Sequence, residues 1–441
     1  MHRPHLTRPG RAAATLSAAA LSATAFLTAC GTSGPSTSAG TTSAQGTITM
    51  WMLNDQNVLE DAVTAYNKDH PSEKIVLDLF SNEAYPQKLD VAFGANKGPD
   101  IYFNWGGGAL DDFVKAGKVT AIPSSTVPTS RFSSSVMGAA TFNGQVYGIP
   151  ANGIAPVVLY YNKKVLSSAG LTPPSTFAQL LADVSKLKAK GVTPISLAAS
   201  DEWPTLMYIE YLVDRVGGSQ VFDSVTSGNA SAWTSPAITK ANQLLQTLYS
   251  GGAFGSNANS IAYGNGTSTA LLYTGKAAFE LMGTWEYANV EKADPGFISS
   301  GELGYTSFPT VSGGAGNPDD IAGNLSNFLS VNADVSAAKK AAIMTFLKDY
   351  VLDSSQVDEY LATGSVPPVN ALGPKIGALD SSQKPWLEFI YGLVQKAPSF
   401  QLSWDQELPS SEGTPLLTNV GKSLLGQISP ASFGENMSKA G

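Results

Sequence analysis

Cysteine, histidine and charge are all scarce in this chain of 441 residues. It has one cysteine, Cys30, and three histidines, of which His2 and His5 stand at the very start. Past residue 30 there is no thiol, and His70 is the only imidazole. A disulfide framework, a Cys/His zinc site and a Cys–His nucleophile are therefore excluded. A Ser–His–Asp triad would have to use His70, in the polar stretch Lys68-Asp69-His70-Pro71, which reads as a helix end running into a turn. Charged residues make up 14% of the chain against a usual ~25%. The length leaves ample room for a core of two or three domains.

What is present begins with an address. Arg3, Arg8 and Arg11 form a basic start, residues 12–29 carry no charge, and Leu27-Thr28-Ala29-Cys30 ends the run. This is a secretory signal layout over residues 1–29. A retained membrane helix fits less well, because the run is rich in Ala, Ser and Thr. Its last four residues resemble a bacterial lipobox, which implies cleavage before Cys30 and lipid attachment to its sulfur. The rest of 30–46 is mostly Gly, Ser and Thr with little to bury, a flexible tether. Without Arg3, Arg8 and Arg11, 24 basic residues face 35 acidic ones, a net charge of −11. That balance argues against nucleic acid as a partner.

From Thr47 the chain alternates strand and helix three times. Ile48–Met52, Ile75–Phe80 and Asp100–Asn104 read as strands, and each is followed by apolar residues at helical spacing. This predicts an α/β fold with a mostly parallel sheet covered on both faces. Ligands of such sheets sit at the carboxyl ends of the strands, here Trp51–Gln56, Ser81–Ala84 and Asn104–Gly108. Further strands are expected at Val157–Tyr161, Ala277–Met282, Leu303–Ser307 and Ser326–Val331. Helices are expected near 176–190, 205–216, 236–250, 335–350, 353–362 and 382–396.

Several short motifs follow one another in a familiar order: Gly98-Pro99-Asp100-Ile101, Gly144-Gln145-Val146-Tyr147-Gly148-Ile149-Pro150, Leu159-Tyr160-Tyr161-Asn162-Lys163 and Gly283-Thr284-Trp285. Together they resemble the extracellular solute-binding proteins of bacterial ABC sugar importers, the maltose-binding-like group, over about residues 47–430. The resemblance implies two α/β lobes with mixed sheets flanked by helices, joined by a hinge that the chain crosses three times, near 150–156, 319–325 and 364–372. Residues 47–153 and 322–368 would form one lobe, and 154–321 and 369–441 the other. It further implies a monomer on the outer face of the cytoplasmic membrane, held by its lipid, which hands a sugar to the permease subunits of the importer. No catalysis and no cofactor are expected.

A neutral sugar offers hydroxyls and apolar ring faces, which suit hydrogen-bonding side chains and flat aromatics. The aromatic candidates are Trp51, Trp105, Trp203, Trp285 and Trp404, with Trp233 and Trp386 left to packing. The polar candidates beside them are Asn54, Asp55, Glu83, Asn104, Asn152, Asp201, Glu202, Glu286, Asn324 and Asp405. At Trp105-Gly106-Gly107-Gly108 the chain departs from the family pattern, and the glycines either leave space or expose backbone N–H groups.

Every window around these candidates lacks Lys and Arg: 51–67, 75–87, 98–114, 141–162, 200–214, 277–291, 322–338 and 397–421. An anionic ligand usually calls on arginine forks or a lysine, so a neutral sugar is expected. Two rivals share the aromatics and carboxylates. One is a binder of small organic cations; the other is a glycoside hydrolase with two carboxyl groups across the scissile bond.

Overall fold

Trp51 and its neighbours lie in the second strand of a five-stranded sheet. In the computed structural model, which describes residues 46–440, that sheet runs Ile75–Phe80, Ile48–Leu53, Ile101–Asn104, Phe328–Val331, Ile149–Pro150. The first three strands are parallel and Phe328–Val331 is antiparallel, so the sheet is mixed. Met50, Met52 and all of Ile101–Asn104 are buried. The helix Asn57–Asp69 adds Val58, Leu59, Ala62, Val63 and Tyr66 at helical spacing. His70 closes that helix and stacks on Tyr66 at 4.5 Å, as a helix-end residue rather than a catalytic one.

A second sheet has its own core. Its order is Phe400–Leu402, Ile321–Asn324, Ala155–Asn162, Ala277–Gly283, Thr193–Ser196, with Leu303–Thr306 also paired to Ala155–Asn162. Every residue of Ala277–Gly283 is buried. The helix Phe177–Ala189 starts with a capping box, in which Thr176 and Gln179 satisfy each other's orphan backbone donors. The helix Trp203–Gly217 is buried along most of its length. Trp233 and Trp386, 2% and 1% exposed, are both core residues of this half. The molecule is thus a two-lobe α/β fold with a mixed sheet in each lobe.

The chain passes between the lobes where one sheet's strand leads to the other's. The first passage is Ala151–Ile154. The second is Leu325–Asn327, because Ile321–Asn324 pairs with strands of the second sheet. This moves the expected start of the returning segment from 322 to about 325. Asn152 ties the two passages together: its Oδ1 accepts the Asn327 N–H at 2.9 Å and its carbonyl accepts from the Ser326 hydroxyl at 3.0 Å. At the third, Ile154 donates its N–H to the Val366 carbonyl at 2.8 Å, and Tyr360 Oη–H reaches the Ala151 carbonyl at 2.6 Å.

The expected signal segment, Cys30 and all but the last residue of the tether lie outside the described residues. Among the described residues no helix is long and apolar enough to cross a membrane.

Candidate functional site

The strand Ala277–Gly283 and the strand Thr193–Ser196 run side by side, and each delivers a tryptophan near its carboxyl end. Trp285 opens the helix Trp285–Ala293, and Trp203 opens Trp203–Gly217. Their ring centroids are 6.2 Å apart. Gly283 makes room for the first: a Cβ there would fall 2.2 Å from the Trp285 ring. Ahead of Trp203 the backbone bends through Glu202 at φ 62°, a left-handed conformation costly for a residue with a side chain. The bend lets the Glu202 carbonyl receive the N–H groups of Thr205 and Leu206 at the helix start.

Tyr263 completes this group and was not among the expected residues. Its ring meets Trp203 edge-on at 5.0 Å, and its N–H donates to Asp201 Oδ2 at 2.6 Å. Burial raises the Asp201 carboxyl above its ordinary range, the Tyr263 N–H counteracts this, and the charge of Glu83 adds to it. Glu83 comes from the other lobe. Its carboxylate lies against Gly264, 3.5 Å from where a Cβ would sit. Glu202 is raised as well, by burial and then by Asp201. So Glu83, Asp201, Glu202, Trp203 and Trp285 are brought to one place, where the lobes face each other.

Glu286 belongs to the same group but lies beneath it. It is fully buried, and its Oε2 accepts from Tyr263 Oη at 2.7 Å and from Asn289 Nδ2 at 3.4 Å. It therefore supports the aromatic surface rather than lining it, a correction to its expected ligand contact. Glu280, 1% exposed, sits beside it; both carboxyls are raised, chiefly by burial.

Other expected residues go elsewhere. Trp404 is 0% exposed, stacked on Phe222 at 4.7 Å and tilted against Trp233 at 5.0 Å. It is core, and offers no face to a ligand. Asn104 spends its side chain within its own lobe, on the Ser330 hydroxyl at 2.8 Å and the Gly106 N–H at 3.0 Å. Asn324 is buried and pairs in the second sheet with Ala155. Trp51 packs on Phe80 at 4.8 Å and donates Nε1–H to Asp78 at 3.0 Å, along the outer strand. Asn54 and Asp55 are exposed; Asp55 accepts from Gln56, whose Oε1 accepts from Asn152 in the hinge. Trp105 is half-buried beside Tyr85 and Phe103. Asp405 is half-buried, and burial raises its carboxyl. Its neighbour Glu210 is fully buried and pushed up to about 8, by burial first and then by the charge of Asp405.

The glycine run after Trp105 serves lobe contact. A Cβ at Gly107 would stand 2.4 Å from the Gln406 carbonyl oxygen, and one at Gly108 would stand 2.5 Å from the Leu408 carbonyl carbon. Backbone meets backbone here, between the helix Gly107–Lys115 of one lobe and residues 406–409 of the other. Glu407, half-buried at the same place, is pushed up to about 7 by burial.

Comparison with known proteins agrees with this architecture. The model of a family described as bacterial extracellular solute-binding protein matches residues 53–354. An uncharacterized ABC transporter extracellular-binding protein of Pyrococcus horikoshii is 27% identical over 243 residues, covering 53% of this chain and 54% of that one. A multiple sugar-binding protein of Streptococcus mutans is 28% identical over 203 residues, covering 45% and 46%. The chain thus spans about half the length of the curated relatives it matches. A structure from work on xylan utilization by the thermophilic bacterium Caldanaerobius polysaccharolyticus superposes with a TM-score of 0.79 at 29% identity, covering 89% of this chain and 99% of that one.

Proposed function

The chain belongs to the bacterial extracellular solute-binding proteins, and from that membership we propose that it captures a neutral oligosaccharide between its lobes and delivers it to the permease of an ABC importer. The observation that carries the ligand class is the surface made by Trp203, Tyr263 and Trp285. It is flanked by Asp201 and Glu202, faced by Glu83, and lies in sequence windows free of Lys and Arg. Flat rings suit the apolar faces of pyranose rings, and carboxylates accept from sugar hydroxyls. The multiple-sugar and xylan associations of similar proteins point the same way.

The ligand touches both lobes only when they are closed, so binding shifts the population toward closure. The lipid at Cys30 and the tether would keep the closed form near the permease. Chemistry on the ligand is not part of this reading. Calorimetry against xylo-, malto-, cello- and galacto-oligosaccharides tests it, with Trp285→Ala as the site control. Binding of a neutral sugar that changes only a few-fold with salt, and is weakened in Trp285→Ala, is the expected result. Binding of amines alone, with affinity that collapses in salt, would favour the organic-cation reading instead.

A further inference from the structure

Beneath the aromatic surface lies a buried carboxyl pair, Glu280 and Glu286. Glu286 and Glu280 are 0% and 1% exposed. Both Glu280 oxygens, Glu286 Oε1 and the Ser268 hydroxyl have no hydrogen-bond partner among the described residues. The groups facing the pair come from every surrounding element. Tyr160 and Ser196 are the strand neighbours of Glu280. Tyr208 approaches from the helix Trp203–Gly217, Ser268 and Thr269 from Thr267–Tyr273, and Asn289 from Trp285–Ala293. All are neutral, and among the described residues no Lys, Arg or His figures among the groups acting on the pair. Two ionised carboxylates in such a place would repel each other without compensation. Burial and the mutual repulsion of the two groups therefore favour a proton kept on the pair, raising both carboxyls above their ordinary range.

Tyr263 connects this pair to the aromatic surface through a single side chain. Its hydroxyl donates to Glu286 at 2.7 Å and accepts from Asn289 at 2.7 Å, while its ring edge bears on Trp203 and its N–H holds Asp201. We propose that Tyr263 is a positioning residue, which transmits the protonation state of the buried Glu280–Glu286 pair to the ring of Trp203 and the carboxylate of Asp201, and so sets ligand affinity. Loss of the pair's proton drives the two carboxylates apart, moves the acceptor away from Tyr263 Oη, and releases the ring that Trp203 rests on. Ligand affinity then falls on the alkaline side.

This inference rests on the sugar-binding reading only for its second readout. The first needs no ligand: tryptophan fluorescence of the unliganded protein, followed from pH 6 to pH 10. The wild type is expected to show an alkaline transition that is lost in Tyr263→Phe and in Glu280→Gln and reduced in Trp203→Phe. The second is sugar affinity across the same range. Tyr263→Phe should weaken binding roughly three- to tenfold at neutral pH, the effect of one lost hydrogen bond, and should flatten the alkaline fall. Circular dichroism melting checks that each variant is folded; Glu280→Gln is isosteric and keeps the test available if Tyr263→Phe is not. A full transition in folded Tyr263→Phe or Glu280→Gln overturns the proposal. If no sugar binds the wild type, the ligand reading fails while the fluorescence result still decides the role of Tyr263.

Discussion

Asp112 reaches out of the first lobe and accepts the backbone N–H of Ser410, the first residue of the helix Ser410–Leu424 in the second, at 2.9 Å. Ser410 follows Pro409, which supplies no capping side chain. One lobe therefore caps a helix of the other, with a negative charge at the positive end of the helix dipole. Such a charge contributes about 0.3–1 kcal/mol at a partly exposed terminus, and here it contributes only while the lobes touch. Asp112→Ala should weaken ligand affinity by about two- to fivefold, with the deficit shrinking at high salt. Calorimetry at two ionic strengths checks both, and small-angle scattering should report a more open average shape.

Gly108→Ala tests the backbone contact of the lobes more severely. Gly108 lies in a helix and does not have a positive φ, so alanine there is intrinsically better by about 1 kcal/mol. Across the lobe contact, however, its Cβ meets the Leu408 carbonyl carbon at 2.5 Å. The expected outcome is a melting temperature that holds or rises together with an affinity loss of at least roughly tenfold. A variant that binds normally would show that this contact plays no part in capture.

Trp404 and Trp285 should separate cleanly. Trp404→Ala removes a fully buried ring from between Phe222 and Trp233 and should cost about 3–5 kcal/mol of stability by denaturant titration. Trp285→Ala, at a half-buried ring, should leave the folded protein largely intact and show its effect in ligand affinity. The reverse pattern would exchange their roles.

Glu210 makes a pH prediction with a definite sign. Its folded-state value of about 8 stands above the ordinary 4.5, through burial and the charge of Asp405. Between those values the native protein keeps a proton that the unfolded chain releases. Stability should therefore fall as pH rises through this window, by about 1.4 kcal/mol per pH unit at most, and level off above pH 8. Glu210→Gln keeps an oxygen to accept from Ser403 Oγ and the Trp404 N–H and should reduce the slope by Glu210's share, leaving that of the other raised carboxyls such as Glu407. Urea titrations at pH 5, 6.5 and 8 for both proteins measure it.

The alternation of strand and helix was legible because each strand is a short apolar run and each helix repeats its apolar residues at helical spacing, as Val58, Leu59, Ala62, Val63 and Tyr66 do. The end of the expected strand Ala277–Met282 located Trp285 for the same reason, while no strand was expected ahead of Trp203. Trp404 had no expected strand before it either: the strand Phe400–Leu402 is only three residues long, and the next turn drops the ring into the core. The strand-end rule failed at Asn104 because an amide that ends a strand can also close the turn that follows, as the bond from the Gly106 N–H does. Tyr263 had no periodic pattern to announce it: it sits among turns, and its partners are 62 and 23 residues away in sequence. Glu280 did carry a signal, since a lone carboxylate in Ala277–Gly283 interrupts an otherwise uncharged buried strand.

The seat of Gly107 and Gly108 on residues 406–409 has one more consequence. No side chain lies between the two main chains there, so nothing at that point can yield by changing rotamer. The shut position of the proposed jaw is then a hard stop, fixed by peptide geometry instead of by whatever it holds. A guest too thick for the gap would prop the stop apart, and the Asp112 cap beside it would go unmade. On the proposed reading the glycines would act as a feeler gauge, and thickness would join hydroxyl pattern in deciding which guest is accepted.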